Sequence, residues 1–255
     1  MAWHDDPTHP FAGIAEKLKR ADRNIVNLKS EIDTFINSGE YPTIPHPDDK
    51  MWQQAVNYHK TKRIPLLFGV LAGEIIHHLR SSLDHVAWHF SSDEARRTPH
   101  DIEFPIFEKE PRREKEIERY NRKVQGITKP RVLACIKDMQ PYKAGADVCN
   151  DSLLIVHNMD RFDKHRELVI VDSSVVVEVP STMPDLANKF RLYTEGKLPQ
   201  SEIIAASRAM KEHGKATPDV AFRQFGQRKT QSVIPGLVQL FDEVSTLVGV
   251  FATEV

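Results

Sequence analysis

Residues 73–90 read Gly73-Glu-Ile-Ile-His-His-Leu-Arg-Ser-Ser-Leu-Asp-His-Val-Ala-Trp-His-Phe90, and the alternation in this stretch decides the fold. At about 100° per residue the segment splits into two faces. Ile75, Ile76, Leu79, Leu83, Val86, Ala87 and Phe90 share one side. Glu74, His77, His78, Ser81, Asp84, His85, Trp88 and His89 share the other. Arg80 falls on the border, one turn before Asp84, the spacing of an i,i+4 ion pair. An apolar stripe of that width has to be buried, so this helix is predicted to lie at the centre of a bundle. Pro65 is suited to its first turn, where a missing N–H costs nothing, and the pattern runs to about residue 91.

Working outward, residues 11–38 carry Ile14, Leu18, Ile25, Leu28, Ile32 and Phe35 at helical spacing, with Gly39 as a stop. Residues 40–63 hold Pro42, Pro45 and Pro47 and suggest a loop with one or two short strands. Phe104-Pro-Ile-Phe107 is an extended apolar plug. The charge-dense run 108–126 keeps Ile117, Tyr120 and Val124 in helical phase, which implies a solvated amphipathic helix. Helix is expected over 130–161, interrupted at Pro141, and again over 232–251, where Leu237, Leu240, Val244 and Phe251 share a face. Leu168–Val179 is β-branched and reads as a strand, with Phe190–Leu198 as its antiparallel partner and Val220–Phe225 as a third strand. No repeat or Gly/Ser linker divides the chain. The expectation is therefore one α+β domain over 1–255, predominantly α-helical: a helical bundle (11–38, 65–91, 130–161, 232–251) with a small antiparallel β element in the C-terminal half (about 168–198 and 220–225).

The composition narrows the functional classes. Hydrophobic residues make up 40% of the 255, enough for a sizeable core. Lys+Arg total 35 against 36 Asp+Glu, so a general nucleic-acid coat protein is disfavoured and only a local basic surface remains open. Cys135 and Cys149 fit no disulfide framework or zinc spacing. The N-terminus lacks a basic region followed by an apolar stretch, and the most apolar run, 64–76, is too short to span a bilayer. A cytoplasmic protein that does not enter the membrane is expected. Phosphate-cradling, nucleophile-elbow and zincin motifs are all missing from the sequence.

Four of the chain's twelve histidines fall between positions 77 and 89, so the polar face of the central helix is the candidate site. Three roles fit it. In a structural role, Arg80 pairs with Asp84 and the histidines bridge to neighbouring helices. In a metal-binding role, Glu74 and His77 form an E-x-x-H pair, and His78, His85 and His89 lie near one line; no second E-x-x-H follows on another helix, so no metal and no cofactor are expected. In a catalytic role, Arg80 stabilises a phosphate, His85 moves a proton near neutral pH and Asp84 orients it. His77, His78 and Ser81 then line the substrate. Asp160, Arg161, Asp163, Lys164, His165 and Arg166 form a second charged knot, either a helix C-terminus or the other half of a site in which Lys164, His165 and Arg166 hold a phosphate.

The Arg80-Ser-Ser-Leu-Asp-His85 spacing resembles the R-x(4–6)-H signature of the HEPN superfamily of helical-bundle ribonucleases, although Ser81 stands where that family often has a more polar residue. That resemblance implies a metal-independent endoribonuclease of toxin or phage-defence type. It would act on RNA as a homodimer, alongside an antitoxin or defence partner. Arg80 and His85 point about 140° apart on a straight helix, so a two-fold partner is invoked to bring them together. The wider combination of G-E-I-I-H-H-L-R-S-S-L-D-H, F-P-I-F, M-Q-P-Y at 139–142 and D-K-H-R at 163–166 resembles a set of uncharacterised bacterial and phage-associated helical proteins over most of 65–170, and implies a shared fold without an activity. The alternative to the ribonuclease is a non-catalytic helical interaction or scaffold protein.

Overall fold

The computed structural model describes residues 3–38, 64–97, 102–165, 171–178, 181–194, 197–213, 215–223, 225–226 and 231–255. The expected loop and strands at 40–63 lie outside these residues. Helices dominate. They are α1 (Ala12–Asn37), α2 (Leu66–Phe90), α3 (Asp93–Arg97), α4 (Glu114–Lys123), α5 (Pro130–Asp138), α6 (Ser152–His165), α7 (Pro184–Thr194), α8 (Gln200–His213) and α9 (Val233–Ala252). A run of 3₁₀ turns over Pro141–Asn150 links α5 to α6. The strands are β1 (Val171–Glu178), β2 (Lys215–Phe222) and the two-residue β3 (Gln231–Ser232).

The chain divides into two compact units, residues 1–30, 66–170 and 222–255 in one and 31–65 and 171–221 in the other. In the first, α2 packs against both α9 and α6, and α9 also packs against α6. The expected stripe of α2 is its core: Ile75, Ile76, Leu79, Leu83, Val86 and Ala87 are fully buried. Leu237, Leu240, Val244, Val248 and Phe251 of α9 are fully buried as well. Among the described residues α9 alone is long and apolar enough to cross a bilayer by length and composition; in this fold its apolar side meets α2 and α6. Phe104 is the plug the sequence suggested, buried and edge-on to Phe251 with ring centroids 5.9 Å apart.

In the second unit β1 and β2 are neighbouring strands of the small antiparallel sheet. The expected pairing of 168–179 with Phe190–Leu198 is not formed, because 184–194 is helix α7. Pro184 and Asp185 suit the first turn of a helix, and Leu186 and Leu192 gather with Leu198 and Ala206 in one apolar cluster. That tertiary burial outweighs the strand preference of the aromatic residues at 190–193. The strand expected at Val220–Phe225 begins earlier, at Lys215. Helix α8, which follows Pro199, was not anticipated.

Candidate functional site

The polar border of α2 meets α6 and the 103–104 segment in a seam of charges. Arg80 is 2% exposed. Its Nη2 lies 2.9 Å from Asp84 Oδ1 and 3.2 Å from Glu103 Oε2, and donates to the Phe104 carbonyl at 3.0 Å. Asp84 Oδ1 also accepts the Phe104 N–H at 3.0 Å. Arg80 and Asp84 therefore grip both backbone groups of Phe104, one residue at a time from one turn of helix. Glu103 is held in turn by Lys123 of α4, which is 7% exposed. The expectation of a solvated charged helix fails at this residue: the last turn of α4 delivers a buried cation to a half-buried carboxylate. Burial pushes the Asp84 carboxyl up, with Arg80 and the Phe104 N–H opposing it; burial also lowers the Arg80 guanidinium.

One turn earlier on α2, His77 Nδ1 lies 3.2 Å from Asp160 Oδ1 of α6, whose other oxygen is 2.8 Å from Lys164. Asp160 is 6% exposed, whereas about half of the His77 side chain is open to solvent. His157, one turn before Asp160 along α6, is pushed down to about 4, first by burial and then by Arg80, Arg161 and Lys123. Asp163 packs on Gly73: a Cβ there would lie 2.6 Å from its Oδ1, so the missing side chain lets α6 approach α2. The M-Q-P-Y stretch joins the same assembly. Gln140 is 1% exposed, donates to the carbonyls of Pro105 at 2.7 Å and Ile136 at 3.0 Å, and accepts the Phe107 N–H at 3.1 Å.

The expected site residues are thus divided. Arg80, Asp84, His77 and Lys164 lie along the seam. His85 is exposed and answers to Lys17 of α1, on another side of α2, and its pKa is lowered first by burial and then by that lysine. His78 is lowered likewise, first by burial and then by Lys17, His77 and Arg20. Ser81 is half-buried, His165 is exposed, and Arg166 lies outside the described residues. Arg80 and His85 do not face the same neighbours. Nor does a two-fold partner offer an easy remedy, because a side chain 2% exposed in its own chain is out of reach of a partner's histidine. Asp160 belongs to the charged knot read from the sequence, whereas His157, Glu103 and Lys123 were not singled out there. A local signal existed for Asp160, four residues before Lys164; Glu103 and Lys123 are joined only by tertiary structure.

Among the described residues no group of three or more His, Cys, Asp or Glu is placed to hold a metal ion. A cavity of about 420 Å³ is lined by Tyr120, Val124, Ile127, Leu133 and Lys137. The chain matches no family model, no curated protein and no solved structure.

Proposed function

We propose that this chain is a helical interaction or scaffold protein, and that its R-x4-H stretch is a structural clamp. The burial of Arg80 carries this reading. A guanidinium that serves a phosphate has to be reachable; this one is 2% exposed and already holds two carboxylates and a main-chain carbonyl. The other stretches of the shared sequence pattern support it. Phe104 is bound by Arg80 and Asp84, Pro105 and Phe107 by Gln140, and Asp163 rests on Gly73. Residues chosen in this way for one another stabilise a fold without needing a substrate. Leu66, Leu67 and Val70, exposed at the start of α2, are apolar surface of the kind a protein partner covers. The test pairs two measurements: RNA cleavage by the pure protein with and without EDTA, and thermal unfolding of Arg80→Ala. No cleavage together with a large loss of stability is the expected result. Cleavage abolished by Arg80→Ala at unchanged melting temperature would sink the clamp.

The second reading is a metal-independent endoribonuclease of the HEPN type, acting on RNA as a homodimer with a toxin or defence role. One observation favours it: His77, half open to solvent, pairs with the buried Asp160 beside Lys164, which suits proton transfer. In that case His77 rather than His85 moves the proton, and His77→Gln should lower cleavage by about a hundredfold or more.

A further inference from the structure

Away from the seam, His78, His85 and His89 of α2 follow one another at i, i+7 and i+11. The segment that packs here is α1 with the residues just before it. Asn24 donates to Glu74 Oε2 at 3.4 Å, and Phe11 stands edge-on to His89 with ring centroids 5.0 Å apart. The charged groups around these histidines are mostly cations. Lys17 and Arg20 of α1 and His77 of α2 act on His78, opposed by Glu74. Lys17 acts on His85. Arg96 of α3, Lys129 and His9 act on His89. The Nδ1 of His78 is buried without a hydrogen-bond partner among the described residues, so proton uptake there has no acceptor waiting for it. Burial first and these cations second hold all three rings below the usual histidine range.

We propose that α1 is an acid-released arm: proton uptake by His78 and His85 adds positive charge opposite Lys17 and Arg20 of α1, proton uptake by His89 adds it beside Phe11 and His9 at the start of the arm, and α1 separates from α2. The direction follows from linkage. Each ring binds its proton more weakly in the packed state than the ordinary value of 6.5, so packing is fully favoured above that value and is lost as pH falls through the lowered ones. Separation bares a ready-made apolar surface, because Phe11, Ile14, Leu18, Ile25 and Leu28 are all buried in the packed state. An amphipathic helix with that stripe docks into an apolar groove on a partner. This extends the interaction reading by naming what controls it, and it fails separately, since arm release is measurable on the chain alone.

The experiment is hydrogen exchange of the full chain at about pH 7.5 and about pH 5, corrected for intrinsic rates, comparing α1 with α9. Protection in residues 12–30 should fall at least about tenfold at the lower pH while α9 loses much less. The triple variant His78→Gln, His85→Gln, His89→Gln should keep α1 protected at both. Should that variant not fold, Lys17→Met with Arg20→Met takes its place and should move the opening to lower pH. Equal protection of α1 at the two pH values, an undiminished fall in the histidine variant, or an unmoved midpoint in the lysine–arginine variant would overturn the proposal.

Discussion

Arg80→Ala separates a clamp from a catalytic arginine by magnitude. In the wild type one guanidinium, 2% exposed, neutralises Asp84 and shares Glu103 with Lys123. Truncation leaves Asp84 with the Phe104 N–H alone and the Phe104 carbonyl without its donor. Removing one partner of a fully buried pair costs about 3–5 kcal/mol; Asp84, with 31% of its side chain exposed, keeps part of its solvation, so the lower end applies, about 3 kcal/mol. Set against a total stability of about 5–15 kcal/mol, that is a large fraction. At about 2–4 °C per kcal/mol for a chain of this size, the melting temperature should drop by about 6–12 °C. The assay is circular dichroism melting, with urea unfolding to check that the slope is unchanged. Arg80→Met combined with Asp84→Leu removes both charges and keeps the volume, so it should recover much of the loss. His85→Ala, at an exposed position, should move stability by no more than about 0.5 kcal/mol. If Arg80→Ala melts within about 2 °C of wild type, the burial argument is wrong and Arg80 is free for another task.

Three further outcomes follow from the same packing. Gly73→Ala should lower the melting temperature even though alanine is the better helix former, because the new Cβ meets the Asp163 carboxylate; adding Asp163→Ala should restore it. Leu83→Ala, at a fully buried position of α2, should cost about 2–5 kcal/mol in chemical unfolding. His157 takes up its proton at about 4 when folded against 6.5 in its ordinary state, so its contribution is complete above 6.5 and is lost as pH falls towards 4. His157→Gln should therefore flatten the acid side of a stability–pH curve, and an unchanged acid limb would show that other groups dominate it.

The helical phase of α2 was legible because seven apolar positions repeat on one face, and all but Phe90, which is half-buried, are buried as that phase requires. The Arg80–Asp84 pair was legible for the same reason: it is local. What could not be read was the rest of the seam. Glu103, Phe104 and Lys123 reach Arg80 and Asp84 through tertiary structure, and no periodicity marks a carboxylate in a loop as paired or a lysine in a charge run as buried. The same limit misled the strand expected at 190–198: its residues up to 194 are helical, and the apolar cluster that Leu192 and Leu198 join includes Ala206 from farther along the chain. The histidine face was visible as a cluster, but not which rings would meet cations and which would meet a carboxylate.

The seam is built from partners far apart along the chain: 23 residues between Arg80 and Glu103, 35 between Gln140 and Pro105, and 83 between His77 and Asp160. Closing loops of such length costs chain entropy before any contact rewards it, which predicts that these bonds form late, on the downhill side of the folding barrier. Weakening them should leave the refolding rate nearly unchanged and speed unfolding. On that order of events, the seam would set how long a molecule stays folded more than how quickly it arrives.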